Sequence, residues 1–215
     1  MKKSAFTMIE LVMVIVVLGI LASLAMPRME RDSRQEAGDN ILSAIRYTQH
    51  MALMDDKTNP NSATWQRALW QIRFSNSGNE WWYTIASNND LNNNLDQNES
   101  AIDPANGHYM HSGNATIDSD ESPNIFLTKK YGINNVTIND CTNQSNVLGM
   151  PNHIAFDYMG RPHRSVTQGG NHDFRTYINS MDCVLTFSFE SGEDNLIIRI
   201  ARETGYAQIV DQNAS

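Results

Sequence analysis

The sequence predicts an α+β protein in which one long N-terminal helix, apolar in its first half and amphipathic in its second, packs on an antiparallel β-sheet domain. Three observations predict it. From Leu11 through Met26 there are 16 residues without a charge. Ala37, Ile41, Ala44, Ile45, Thr48 and Ala52 then recur at steps of three and four, which is one face of an amphipathic helix. Past Pro60 the pattern changes to short alternating runs with aromatic and β-branched residues, separated by Gly, Asn and Asp clusters, as strands and turns require.

The first half of the helix has the length of a bilayer. Phe6 to Met26 is interrupted only by Glu10, and 21 helical residues span roughly 31 Å, close to the thickness of a hydrocarbon core. Lys2 and Lys3 precede the run, so its N-terminus faces the cytoplasm and the rest of the chain faces outward. Ser23-Leu24-Ala25 has the small-x-small form of a signal-peptide cleavage site. Glu10 argues against a disposable signal, because a carboxylate in an apolar segment is costly unless it is paired.

The stretch Ala5-Phe6-Thr7-Met8-Ile9-Glu10-Leu11 resembles the cleavage and methylation motif of type IV prepilins and type II secretion pseudopilins. Gly is usual before the cut, where this chain has Ala5, and Leu is usual at Met8. The resemblance implies a leader of residues 1–5, a prepilin peptidase cut between Ala5 and Phe6, N-methylation of Phe6, and an assembly role for Glu10. It implies a transmembrane and assembly helix over 6–27, an amphipathic continuation over 28–56, and a β-rich periplasmic domain over 60–215. The implied partners are other pilin or pseudopilin subunits, the peptidase and an inner-membrane assembly platform. A freed amine at Phe6, with a reference pKa of about 7.7 to 8.0, would lie four residues from Glu10. In a filament that carboxylate would compensate the amine of its own or a neighbouring subunit. A wrong register would leave a buried charge unpaired at about 3 to 5 kcal/mol, so Glu10 would set register.

Charge narrows the function further. The chain has 16 Lys+Arg against 24 Asp+Glu, net −8; removing Lys2 and Lys3 leaves 14 against 24, net −10. Bulk charge therefore does not favour nucleic acid. The two cysteines, Cys141 and Cys183, face an oxidising compartment and are expected to form a staple. A bond across that loop contributes roughly 4 kcal/mol in the chain-entropy model. Metal ligation beside Asp140 and Asp182 is the lesser reading, and no CxxC spacing supports redox catalysis.

Along the chain, Pro27 is expected to kink the helix without ending it, and Gly38 to weaken it locally. The breaker cluster Asp55-Asp56-Lys57-Thr58-Asn59-Pro60 ends it. Ala68, Trp70, Ile72 and Phe74 alternate, and a turn over Ser75 to Glu80 leads into Trp81-Trp82-Tyr83-Thr84-Ile85-Ala86, a hairpin. Its aromatics read as packing before they read as a ligand platform. In the Asn/Asp-rich stretch 87–100, Asp90, Asn92, Asn94 and Asp96 suggest a calcium loop. Leu95 and Ala101 stand where an EF-hand needs Gly and Glu, which leaves another calcium geometry or a solvated loop. His108-x-x-His111 has metal-compatible spacing but no third ligand nearby. Ile125-Phe126-Leu127-Thr128 and Val136-Thr137-Ile138 read as short strands around Lys129 and Lys130.

Further on, Ile154, Phe156 and Tyr158 alternate, and Met159-Gly160-Arg161-Pro162 reads as a turn. Strands over Cys183–Phe189 and Leu196–Ile200, joined by a turn at Ser191-Gly192-Glu193-Asp194, precede Gly205 and a last short strand over Tyr206–Val210. Phe156-Asp157-x-x-Gly160-Arg161-Pro162 with these strands, and the helix motif Ala44 to Ala52, resemble the GspH/FimT group of minor pseudopilins and minor pilins.

No nucleophile elbow, zinc-protease motif, phosphate loop or dinucleotide fingerprint occurs. His153, His163 and His172 lie in or near turns, and no catalytic set, metal or cofactor is expected. Two functions follow from the resemblance. One is a non-enzymatic filament subunit of a type II secretion pseudopilus or type IV pilus. The other is a minor pilin whose outward domain holds DNA or another extracellular ligand, with Lys129, Lys130, Arg161, Arg164 and Arg175 as candidate contacts.

Overall fold

A computed structural model describes residues 7–59, 61–92, 94–139, 152–163, 166 and 181–210. Helix α1, Met8–Met54, runs through Pro27 and Gly38 without a break. It ends at Asp55, whose carboxylate accepts the indole N–H of Trp70 at 2.9 Å, so the breaker cluster is also tied to the sheet. All six residues of the expected apolar face are buried, from Ala37 to Ala52. Ile41 and Ile45 alone contribute about 1.5 to 3 kcal/mol each through burial.

The face covers two sheets rather than the single sheet expected. In the first, β1 (Trp70–Ser77) pairs with β2 (Glu80–Ser87) as a tight hairpin and, on its other side, with β4 (Asn152–Phe156), which pairs with β5 (Pro162–His163). In the second, β3 (Ile133–Asn139), β6 (Cys183–Phe189), β7 (Leu196–Ile200) and β8 (Ala207–Ile209) lie in chain order. Every pairing among these strands is antiparallel. The sheets meet where Phe74 of β1 packs edge-on against Phe187 of β6, ring centroids 5.5 Å apart. Period-2 alternation accounts for the result: Trp70, Ile72 and Phe74 enter the shared core, as do Leu185 and Phe187. Gln71 and Arg73 therefore point to the opposite face of the first sheet.

One expected strand is corrected. Ile125 closes a short 3-10 turn, Pro123–Ile125, and Leu127–Tyr131 forms helix α2. The Ser122 hydroxyl caps the turn through the Asn124 amide at 3.2 Å, and Gly132 ends α2 with φ +71. Ser-Pro followed by a glycine stop outweighs the β-propensity of Ile-Phe-Leu.

The Asn/Asp-rich stretch and the described residues that follow it are anchored to β2. Ile85 donates to Met110 O at 2.9 Å and accepts from the Ala101 amide at 2.8 Å, so residues near 101 and 110 close the outer edge of β2. Leu95, Ala101 and Met110 are buried. The Glu99 carboxylate gathers the amides of Asn89 (2.7 Å), Asp90 (3.1 Å) and Asp96 (3.3 Å). Asp103 similarly accepts from Ser122, Asn124, Asn106 and the Ala105 amide. Burial would raise its pKa, but these donors win and hold it below the usual carboxylate value.

Candidate functional site

The N-terminal half of α1 is the candidate site. Thr7 is its N-cap: the Glu10 amide donates to Thr7 Oγ1 at 3.4 Å, while the Thr7 amide and hydroxyl each donate to Glu10 Oε2 at 2.8 Å. This reciprocal arrangement is a capping box. Thr7-x-x-Glu10 carries the capping-box pattern in the sequence itself. Beyond the cap, large apolar residues from Met8 to Leu21 stand exposed, with Met8 85%, Ile15 58% and Leu21 57%. They point in all directions, as in a helix that is buried in lipid or between other helices.

The expected transmembrane first half is not shown. Among the described residues no helix is long and apolar enough to cross a membrane. The apolar stretch with described side chains, residues 8–21, covers only about 20 Å, short of the roughly 30 Å core. The apolar sequence continues to Met26. Ala5 and Phe6, the expected cleavage and methylation residues, lie outside the described residues.

Farther along α1, Gln49 joins the turn at Gly160 to the turn before β8. Its Nε2 donates to Gly160 O and to Thr204 O, both at 2.9 Å. Gly205 has φ +68, and a Cβ there would stand 2.0 Å from Gly160 O; only glycine allows that approach. Asp157 builds the first turn. Its Oδ1 accepts the Met159 and Arg161 amides, both at 2.9 Å, and its Oδ2 accepts Arg161 Nε at 2.8 Å and meets His163 Nε2 at 3.0 Å. Burial would raise the Asp157 pKa, but the hydrogen bonds from His163 and Arg161, with the charge of His163, hold it below the usual range. The Asp-x-x-Gly-Arg-Pro pattern is thus a docking turn for the helix.

The candidate basic residues do not form one patch. Lys129 donates to Ala115 O and lies 5.8 Å from the Phe126 ring centroid. Lys130 donates to Asn124 and pairs with Glu36 of α1 at 3.5 Å. Arg161 pairs with Asp157 at 2.7 Å, beside Gln49. Glu36 and Gln49 are thirteen positions apart on one helix, about 20 Å. Arg164 and Arg175 lie outside the described residues, as does Cys141. Cys183 is wholly buried in β6.

His111 and the Asn/Asp-rich stretch are engaged elsewhere, whereas the buried Nδ1 of His108 has no hydrogen-bond partner. His111 Nε2 lies 2.8 Å from Leu95 O, and Asp90, Asn92 and Asn94 make turn bonds to nearby groups. Among the described residues no group of three or more His, Cys, Asp or Glu could hold a metal ion.

Comparison with known families matches residues 1–26 to the family described as Prokaryotic N-terminal methylation motif. The match supports a type IV pilin-like protein and implies a pilin-like subunit processed by prepilin peptidase. No curated protein and no solved structure matches the chain.

Proposed function

We propose that the protein is a minor pilin or minor pseudopilin subunit of the GspH/FimT type, assembled from the inner membrane into a type IV pilus or type II secretion pseudopilus. The observation that carries this reading is the exposed apolar half of α1, capped by Thr7 and Glu10 and continuous with a half whose apolar face is already covered. A surface of that extent is stable only in lipid or against other apolar helices. The subunit spans the membrane once before assembly, with residues 1–5 cytoplasmic and the domain periplasmic. Cleavage between Ala5 and Phe6 leaves the Thr7 amide and hydroxyl in place, so the capping box survives processing.

Glu10 then has two roles in sequence. In the unassembled subunit it accepts the amide and the hydroxyl of Thr7 at its own helix start. In the filament it faces the methylated amine of Phe6, its own or a neighbour's, and a misplaced neighbour leaves a buried charge unpaired. The domain contributes no catalysis, and Cys141 with Cys183 forms its staple. The DNA-holding alternative draws no support from the described candidate residues Lys129, Lys130 and Arg161, which are engaged and spread along the domain.

Mass mapping of the mature N-terminus tests the reading. A methylated Phe6 is the expected result, and a start at Met26 would return the chain to an ordinary secreted domain. Glu10→Ala should be processed and membrane-bound but absent from sheared filaments. Incorporation at the wild-type level would sink the register role.

A further inference from the structure

The chain carries five Asn-x-Ser/Thr triplets, at Asn98, Asn114, Asn135, Asn143 and Asn213. Such a triplet marks an acceptor of an N-linked glycan when it lies on the surface of an outward-facing protein. In a chain this rich in asparagine the triplet alone selects nothing, but the structure separates the five. Asn143 and Asn213 lie outside the described residues. Asn135 stands in strand β3, where the residue two positions on is about 7 Å away. Asn98 sits within the 3-10 turn Gln97–Glu99, and both the amide and the hydroxyl of Ser100 turn back to Gln97 O, at 3.1 and 2.6 Å.

Asn114-Ala115-Thr116 is different. Asn114 Oδ1 accepts the Thr116 amide at 2.6 Å, which closes an Asx-turn. Asn114 and Thr116 are both exposed, and a Cβ added at the neighbouring Gly113 would meet no atom within 4 Å. The turn is held from behind. The Asn114 amide donates to Ser112 Oγ at 3.2 Å, and the Ser112 hydroxyl donates to Asn114 O at 2.5 Å. Ala115 packs against the core, and its carbonyl accepts from Lys129 Nζ. Neither Asn114 Nδ2 nor the Thr116 hydroxyl has a hydrogen-bond partner among the described residues. The two groups that glycan transfer uses, the nucleophile and the hydroxyl, stand free in solvent on a fixed turn.

We infer that Asn114 is a glycosylation site, with its Nδ2 as acceptor for a saccharide carried on a polyprenyl diphosphate. The Thr116 N–H on Oδ1 draws electron density from the carboxamide and makes the Nδ2 protons more acidic. Nδ2 attacks the anomeric carbon of the saccharide and a C–N bond forms. The C–O bond to phosphate breaks, and its electron pair leaves with the lipid diphosphate. One Nδ2 proton passes to a basic carboxylate of the transferase, which recognises the triplet through the Thr116 hydroxyl. The site rests on the outward placement proposed for the domain, the side of the membrane on which lipid-carried saccharides are transferred.

The test takes the full chain from the membranes of its own cells and maps its peptides by mass spectrometry with electron-transfer fragmentation. A saccharide mass increment on Asn114 is the expected result, with Asn98 and Asn135 unmodified. Thr116→Val keeps the backbone amide that closes the turn but removes the hydroxyl, and should lose the increment. Thr116→Ser should retain it. Both variants should keep the wild-type melting temperature, because the side chain changed is exposed and unbonded. An unmodified Asn114, an increment on Asn98 or Asn135 in its place, or one that persists in Thr116→Val would overturn the site. The same map reads the mature N-terminus, so the two readings fail separately. A methylated Phe6 with an unmodified Asn114 overturns the site alone, whereas a start at Met26 with a modified Asn114 upholds the site while the filament reading falls.

Discussion

Ile15 and Ile41 belong to one continuous helix, yet the first is 58% exposed and the second is completely buried. The residues around Ile15 are apolar on every side, whereas those around Ile41 are apolar on one side and polar on the other. Where the apolar stripe is narrow, the chain covers it with its own sheets. Where apolar residues go all the way round, no single sheet can cover them, and the covering must come from lipid or other subunits. Folding of the domain and burial of the N-terminal half are therefore separable events.

The separation can be broken hardest at the junction of the two turns. Gly205→Val adds a side chain at φ +68, where Cβ already lies 2.0 Å from Gly160 O. Handedness strain and the clash together should cost on the order of 5 kcal/mol, read by urea unfolding followed through tryptophan fluorescence. Retention in carbonate-washed membranes should be unchanged; loss of retention would show that the halves are not independent.

Asp157→Asn comes next, at about 4 kcal/mol, because it removes the charge that Arg161 and His163 surround. The pH dependence has a definite sign. Asp157 is held below its unfolded value of about 3.9, so its contribution is fully present above about pH 4 and is lost as pH falls through the lower folded value. Unfolding free energy measured down through that acid range should fall more steeply in the wild type than in Asp157→Asn. Parallel curves would remove Asp157 from the acid response.

These two sites also show what a single sequence carries. The six-residue stripe from Ala37 to Ala52 and the bounds of β6 and β7 were legible because periodicities of 3.6 and 2 are local. The role of Gly38 was not: a Cβ there would meet Ile209 at 3.0 Å and Leu196 at 3.3 Å, and that approach depends on strands more than 150 residues away. Gly160, Gly205 and Gln49 each stand in a local motif, but their meeting is a property of the fold. Ile125 to Thr128 misled because β-propensity outvoted the Ser-Pro cap. Gln71 and Arg73 have the sequence pattern of the polar half of an alternating strand, the half ordinarily assigned to solvent, yet Gln71 is fully buried.

A matched pair of truncations measures the comparison directly. Ile41→Ala should destabilise the domain by about 3 kcal/mol through lost burial and the cavity left behind. Ile15→Ala, an identical chemical change on the same helix, should alter domain stability by no more than about 0.5 kcal/mol. Under the proposed function its effect falls on filament yield. If the two shifts were similar, the exposed half would have to be packing on the domain.

Thr7→Ala has the smallest expected effect and the most local one. It deletes the hydroxyl that accepts from the Glu10 amide at 3.4 Å and donates to the Glu10 carboxylate at 2.8 Å. The Thr7 backbone amide still bonds to Glu10, so half of the capping box remains and the loss should be about 1 kcal/mol. Hydrogen exchange should quicken at the first-turn amides, Met8 to Glu10, while the urea midpoint of the domain stays fixed. The cap acts on a helix start whose side chains are exposed, and only cooperative burial could carry its loss to Ile41. Slower exchange in the first turn, or a shifted midpoint, would mean that the helix transmits its N-terminal state to the sheets, and the two halves would then have to be treated as one folding unit.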